Sequence, residues 1–190
     1  MIDLKHERET SLEVLAGGGL LVYPTDTVWG IGCDACDAAA VERLYALKGR
    51  DRSKSMLVIA LWDVAEQCTE LPMSCGMPQE AGRPTTYIVD AAALPWRLAP
   101  NLVAADGTIG VRNPQHDFCR GLLTAFGRPI VSTSANFSGQ PTPLHYCDID
   151  PAFIGRADYC VKPLAGIEGC GQSSRIVRLG PDGALTVLRD

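Results

Sequence analysis

The sequence lacks several features that would assign it quickly to a class of proteins. No apolar run reaches about 18 residues, so no membrane span is predicted. The amino-terminal MIDLKHERET has no apolar core of the kind found in signal peptides, and we therefore expect a cytoplasmic protein. There is no GxxxxGK[ST] phosphate loop, and no GxGxxG motif opens a helix. A nucleotide-binding protein with this sequence must therefore hold phosphates with side chains.

Metal-binding and redox motifs are equally sparse. The chain has eight cysteines but only one CxxC, at Cys33 and Cys36, and its three histidines are scattered. A structural zinc site needs four ligands, and a single CxxC arises easily in a cysteine-rich chain. We interpret the pair as small residues between a strand and a helix, and the cysteines as reduced thiols.

A basic excess is also missing. The net charge is −5 and the pI is about 5.2, which argues against a general nucleic-acid coat. Between residues 43 and 54, however, five cations accompany one acid. Such a local cluster in an acidic chain is typical of a protein that binds a small anion. At 190 residues, 46% of them hydrophobic, the chain is expected to form one domain, 1–190.

Apolar periodicity and turn residues predict alternating helices and strands. The chain is expected to form one α/β domain with a mixed sheet. A first helix carries Leu4, Leu12 and Leu15 on its apolar side, Asp37 caps a second, and Asp117 caps a third. The predicted helices are 4–16, 38–48 and a third that follows Asp117 and runs to 126; glycines at 17–19, 49 and 127 end them. The predicted strands are 20–23, 56–60, 85–89, 108–112, 129–132 and 159–162. A hairpin joins 175–179 to 185–189 through a turn at 180–183, and 61–82 is irregular to weakly helical.

One charged residue falls on a helix face that should be buried. Val41, Leu44 and Tyr45 form an apolar stripe, and Lys48 continues it at i+7. Two interpretations stay open: the lysine meets an anionic ligand, or it snorkels at a helix end that favours cations.

Polar side chains follow two strand-like runs. Ser132 and Ser134 share one face of an extended chain, with Asn136 just beyond them, and Thr25 and Thr27 share another. These groups are suited to a small polar ligand, although hydroxyls at strand ends often satisfy local backbone groups instead. Arg112 ends a strand, where an arginine is either an anion clamp or, more commonly, a solvated rim residue.

Several stretches of the chain match, in the same order, the motifs of one known family: YPTDTVWGIGCDA (23–35), KGR (48–50), SMLVIA (55–60), PTTYIV (84–89), GTIGVRNP (107–114), PIVSTSAN (129–136) followed by SGQPTP, and SSRIV (173–177). Over nearly its whole length the chain therefore resembles the YrdC-type threonylcarbamoyl-AMP synthases. The resemblance implies an α/β twisted open sheet with flanking helices and a large concave, locally positive cavity. It also implies the short form of the family, without an extra carboxy-terminal domain.

The resemblance further implies a reaction and its partners. Such enzymes join L-threonine, bicarbonate and ATP, with Mg²⁺, into threonylcarbamoyl-adenylate and pyrophosphate. A partner transferase complex then carries the threonylcarbamoyl group to adenosine 37 of tRNA.

The family's motifs assign expected roles to individual residues, with no metal held directly by a side chain. For threonine and carbamate they are Thr25, Thr27, Arg112, Ser132 and Ser174; for the nucleotide Lys48, Arg50, Lys54, Thr86, Ser134 and Asn136, with Lys48 and Arg50 also catalytic. Lys54 stands where many members have asparagine. Two further departures are the run Gly82-Arg83-Pro84, where many members have Pro-Gly-Pro, and Arg175, which stands where threonine is common.

Three other functions compete with this one. The concave surface of the fold could hold double-stranded RNA, which a steep salt dependence of affinity would reveal. A carbamoyltransferase domain of hydrogenase maturation belongs to a longer chain with zinc fingers, and this sequence has neither. A paralogue with an altered substrate is the third, and the two departures favour it weakly.

Overall fold

The computed structural model describes residues 3–52, 54–61, 83–163, 168–180 and 184–190. Its elements are α1 (Leu4–Ala16), β1 (Leu21–Tyr23), β2 (Gly30–Gly32), α2 (Ala38–Lys48), β3 (Leu57–Ile59), β4 (Thr85–Asp90), β5 (Thr108–Arg112), α3 (Asp117–Phe126), β6 (Ile130–Ser134), α4 (Pro151–Ile154), β7 (Tyr159–Cys160), β8 (Arg175–Leu179) and β9 (Leu185–Arg189), with 3-10 turns at Ala91–Ala93 and Tyr146–Asp148. The prediction for 61–82 lies outside the described residues from 62 onward, as does the predicted turn after Gly180. Within the described ranges, no helix is long and apolar enough to span a bilayer.

Capping residues set the bounds of α2 as predicted. The Asp37 side chain accepts hydrogen bonds from the backbone N–H groups of residues 39 and 40, and Gly49 ends the helix with a φ of 59°. The predicted cap of α3 is wrong, because Asp117 is already helical and His116 is the N-cap, with no capping hydrogen bond from its side chain. The Asp117 carboxylate instead lies in the first turn, where the helix dipole favours an anion.

The nine described strands form one mixed sheet, as predicted. Their order is β7-β1-β2-β6-β3-β5-β4-β8-β9, with parallel pairs β1–β7, β3–β5 and β4–β8 among antiparallel ones. Strand β2 was not predicted, since its sequence is Gly-Ile-Gly and glycine is rare in strands. A Cβ on Gly32 would lie 1.8 Å from the carbonyl oxygen of Val131, so this close approach of two strands requires glycine.

The two faces of the sheet differ in chemistry. Val58, Val111 and Val131 are fully buried in one apolar cluster that includes Leu44 and Leu122 of the helices. The alternate residues of the same strands point the other way and include hydroxyls and an arginine. The sheet therefore has one face for the core and one for a polar site.

The first helix is less apolar on its inner face than predicted. Leu15 is buried as expected, but Leu4 and Leu12 are only partly buried, and Glu7 and Ser11 take the buried positions. The Glu7 carboxylate accepts hydrogen bonds from the Tyr159 hydroxyl (2.9 Å) and a backbone N–H near β7 (3.0 Å). The buried acid therefore ties α1 to the edge of the sheet.

Candidate active site

A cavity of about 330 Å³ lies on the polar face of the sheet. Residues paired across neighbouring strands share a face, and pairs such as Leu57–Ser132, Thr86–Arg112 and Gly30–Ser134 all lie on the cavity side. The floor of the cavity consists of Gly30, Leu57, Thr86, Ile88, Gly110, Arg112, Ser132, Ser134 and Ile176. Its walls come from the β1–β2 loop, the segment before β3, the segment before β8, and β9; they include Thr25, Thr27, Arg50, Ser174 and Arg189.

Arg112 is buried at the base of this cavity. Its side chain is 4% exposed, so the alternative of a solvated rim residue is wrong. Its Nη1 donates to the Thr27 hydroxyl (2.9 Å), and its Nη2 lies 3.4 Å from Oδ1 of Asp26. Its Nε is buried with no hydrogen-bond partner in the described part of the chain. A buried guanidinium with an unused Nε, beside an Nη2 that makes only the ion pair, can present a planar fork to an anion such as a carboxylate.

The two predicted threonines form a chain of hydrogen bonds with a fixed direction. The Thr25 hydroxyl donates its one hydrogen to the Val28 carbonyl (2.8 Å) and accepts from the Thr27 backbone N–H (3.1 Å). The 2.9 Å contact between the two hydroxyls must therefore run from Thr27 to Thr25. Both acceptor positions of Thr25 are then filled, whereas Thr27 keeps one beside the cavity. Thr27 can accept a hydrogen bond from a ligand, and Thr25 orients it.

A second pair of hydroxyls joins two strands. The Thr86 and Ser174 side-chain oxygens are 2.8 Å apart, and both residues are buried. Ser132 is also buried, while Ser134 is partly exposed at the same floor. The structure thus brings these four predicted residues to the cavity.

Arg50 lines the cavity from the segment after α2, held by backbone carbonyls. Its Nε donates to the carbonyl of Lys54 (2.8 Å) and its Nη2 to that of Ser55 (3.0 Å). The Lys54 side chain is exposed and does not line the cavity. In this geometry Lys54 contributes through its backbone, by fixing the Arg50 guanidinium.

Lys48 is buried, as the helical stripe predicted, but it does not line the cavity directly. Its Nζ donates to the carbonyls of Ser134 (2.5 Å) and Asn136 (2.8 Å) and lies 5.7 Å from the centre of the Phe153 ring. Burial, followed by the nearby Arg50 charge, lowers the pKa of Lys48 to about 7. The lysine therefore fixes the backbone just after the Ser132–Ser134 floor.

Asn136 also lies behind the floor and outside the cavity lining. Its amide nitrogen donates to the carbonyls of Phe137 (3.0 Å) and Gln140 (2.8 Å). Its Oδ1 is buried without a hydrogen-bond partner in the described ranges. The side chain therefore organises the loop after β6 and retains one unused acceptor.

The cysteine pair shows the features of packing residues. Cys33 is fully buried and Cys36 partly buried, and neither forms a disulfide. Burial raises the pKa of both thiols, which disfavours the thiolate that metal or redox chemistry needs. The described residues contain no cluster of three or more potential metal ligands.

Sequence reasoning missed three features of the site. Asp26 lies between the predicted threonines, and its charge beside a hydroxyl pair was an available signal. Gly110 keeps the floor open, since a Cβ there would lie 3.1 Å from the Thr86 methyl group. Arg189 reaches the cavity from β9, and no local pattern in the sequence points to it.

Comparisons with known proteins identify the family to which the chain belongs. The model of the Sua5/YciO/YrdC family, described as "Telomere recombination", matches residues 13–190. The threonylcarbamoyl-AMP synthase of Xanthomonas euvesicatoria pv. vesicatoria (strain 85-10) is 33% identical over 194 residues, covering 96% of each chain. That of Xanthomonas campestris pv. campestris (strain B100) is 35% identical over 159 residues, covering 79% of this chain and 82% of its own.

Solved structures show the same fold. P. abyssi Sua5, crystallised with L-threonine, matches all of this chain and 55% of its own with a TM-score of 0.81 at 24% identity. E. coli YciO matches all of this chain and 91% of its own with a TM-score of 0.75 at 21% identity. The twisted open sheet with flanking helices is therefore confirmed, and the chain belongs to the Sua5/YciO/YrdC family.

Proposed function

We propose that this protein is an L-threonylcarbamoyladenylate synthase, a nucleotidyltransferase that joins L-threonine, bicarbonate and ATP and releases pyrophosphate. The observation that carries the proposal is the buried Arg112, with an unused Nε at the base of a hydroxyl-lined cavity. The threonylcarbamoyl-AMP synthases that match this chain end to end supply the reaction.

The threonine end of the site is assigned to Arg112 and Thr27. The guanidinium fork binds the substrate carboxylate, as a planar donor pair matches a planar anion. The Thr27 hydroxyl has already given its hydrogen to Thr25, so it accepts from the substrate amine. Together these contacts distinguish the two ends of an amino acid. We assign Ser132 of the floor and Ser174 of the wall to the carbamate side of the same substrate, since both are buried at the cavity.

The nucleotide end is assigned to the remaining side chains. Arg50 is held in place by two carbonyls and is oriented to meet phosphate oxygens. Lys48 as an ammonium has three N–H donors, of which the structure uses two, and we assign the third to a phosphate. Thr86, Ser134 and Asn136 are proposed as polar contacts of the nucleotide, with Lys54 acting through its backbone.

The chemistry needs no protein nucleophile. The threonine amine and bicarbonate form a carbamate with loss of water, and a carbamate oxygen attacks the α-phosphorus of ATP as pyrophosphate leaves. Among the described residues that line the cavity, none is a carboxylate, histidine or cysteine. Catalysis is then alignment plus neutralisation of phosphate charge by cations and hydroxyl donors. Mg²⁺ is expected to enter as part of Mg·ATP, a metal held by substrate phosphates and hydroxyls.

We further propose that the product passes to a tRNA threonylcarbamoyl-transferase complex in the cytoplasm. The described cysteines are unpaired, which is typical of a reducing compartment. Direct RNA binding is the alternative function, and the net charge of −5 disfavours it.

The experiment is pyrophosphate release from Mg·ATP with L-threonine or bicarbonate omitted in turn. Release that requires both substrates supports the synthase. Release that ignores threonine, or no release at all, would contradict it, and salt-dependent binding of double-stranded RNA would then support the alternative.

A further inference from the structure

Arg189 reaches the cavity because of an irregularity in strand β9. Ladder pairing joins Val177 to Val187, but the next residue of β8, Ile176, pairs with Arg189. Leu188 is thus an extra residue, a β-bulge. In a regular ladder Leu188 would face Ile176, and Arg189 would point to the opposite face. Because Ile176 lines the cavity, the bulge directs Arg189 into it.

The guanidinium of Arg189 lies beside the buried hydroxyl pair. Its Nη2 donates to the backbone carbonyl of Ser174 (2.6 Å), whose hydroxyl contacts Thr86. Arg189 is otherwise exposed at the cavity rim. A long exposed side chain loses rotamer entropy when it binds a ligand. A contact that fixes β9 next to Arg189 restricts this side chain beforehand and therefore lowers the entropic cost of binding.

The residue after Arg189 supplies such a contact. Oδ1 of Asp190 lies 3.0 Å from Nη1 of Arg83 and 3.2 Å from Nε of Arg175. Arg83 lies in the segment before β4 and Arg175 begins β8, so one carboxylate joins these two places to the end of β9. The two arginines are also two of the positions that depart from the family's motifs.

We propose that Arg83 and Arg175 are positioning residues that act through Asp190 to hold Arg189 beside Ser174 at the rim of the cavity. The two cations and the carboxylate are then one device. The inference rests on the proposed function only in taking the anion at Arg189 to be a phosphate of ATP.

A mutant cycle tests this coupling. Asp190→Asn removes the charge and keeps the shape, and we expect it to raise the KM for ATP about three-fold, the size of one exposed ion pair, with kcat and the KM for threonine unchanged. Because Asp190 acts through Arg189, Arg189→Ala and the double variant should have the same KM for ATP. Asp190→Glu should restore the wild-type value, and salt near 0.5 M should remove the difference.

Asp106→Asn is the matched control, since it breaks an equally exposed ion pair to Arg178 on the same strand β8 (3.3 Å). It should leave the KM for ATP unchanged. Additive effects of the Asp190 and Arg189 substitutions, or an equal effect of Asp106→Asn, would overturn the proposal.

A second measurement does not depend on activity. In ¹⁵N-labelled protein the Nε–H resonance of Arg189, identified by its loss in Arg189→Ala, should move in Asp190→Asn and not in Asp106→Asn. If no pyrophosphate is released but the resonance moves, the synthase assignment fails and the positioning role stands. An unmoved resonance refutes the positioning role, whatever the activity.

Discussion

Arg112→Lys is the substitution that tests the threonine end of the site most sharply. Arginine here donates to Thr27, lies beside Asp26, and keeps Nε for the substrate. Removing the positive charge beside Asp26 would leave that carboxylate unpaired and would destabilise the fold by about 3–5 kcal/mol. Lysine retains the charge, so this loss is avoided. It cannot, however, make the planar fork from one nitrogen.

The expected loss follows from that geometry. One charge-assisted hydrogen bond to the substrate carboxylate is worth about 1.5–3 kcal/mol, which corresponds to a rise of about 10- to 150-fold in the KM for L-threonine. The KM for ATP should change little. Pyrophosphate release measured over a range of threonine concentrations provides both constants, with the exposed Arg178→Lys as the control. A threonine KM within about two-fold of wild type, or an equal rise for ATP, would refute the assignment.

Other substitutions probe the rest of the account. Lys48→Ala should lower kcat/KM by about 100-fold if its ammonium meets a phosphate, and near-wild-type turnover would remove Lys48 from the site. The pKa of Lys48 is about 7 in the folded protein and higher in the unfolded chain. At a pH between these two pKa values, the unfolded chain therefore binds one proton more than the folded protein. Stability in urea should therefore rise from about pH 7 to about pH 8, below the range in which the raised pKa values of the buried thiols oppose the rise, and Lys48→Met should flatten it; a wild-type curve as flat as the variant's would contradict the shift. Gly32→Ala should prevent folding because its Cβ meets a carbonyl at 1.8 Å, whereas Gly127→Ala, with φ 70° and open space, should cost only about 1 kcal/mol. A folded Gly32→Ala protein would show that the two strands can separate.

Sequence patterns correctly predicted the elements whose structure depends on residues close together in the chain. Helix α2 has its cap, its apolar stripe and its terminal glycine within thirteen residues of each other, and the structure has the bounds that these predict. The antiparallel pairing of β8 and β9 was similarly predicted from a turn-like sequence between two apolar runs. For these elements the sequence neighbours are also the structural neighbours.

The features that were missed depend on distant partners. Glu7 is buried because Tyr159, far along the chain, donates to it. Asp26 belongs to the site because it lies beside Arg112, although the strands β2 to β4 separate the two residues in sequence. Arg189 faces the cavity only because of a bulge one residue earlier. No periodicity within a window of the sequence contains these contacts, so only the fold reveals them.

The sequence predicted which kinds of side chain lie at the cavity, but it did not predict the individual role of each one. Strand alternation places Ser132 and Ser134 on the cavity face, as predicted, whereas Thr25 and Thr27 reach the cavity from the β1–β2 loop, where the Thr27 backbone N–H donates to the Thr25 hydroxyl and no extended strand is present. The roles within each pair required the hydrogen-bond partners, which show that Thr25 orients Thr27. Lys48 was placed correctly on a buried face, but the backbone carbonyls that hold it could not be inferred from the helix alone.

The central claim is that carbon from bicarbonate enters an adenylate of threonine. The most direct measurement is mass spectrometry of the product made from Mg·ATP, L-threonine and ¹³C-bicarbonate. We expect a threonylcarbamoyl-adenylate that carries one added mass unit and does not form when threonine is omitted. An adenylate without the label, or no adenylate while the folded protein binds ATP, would contradict it.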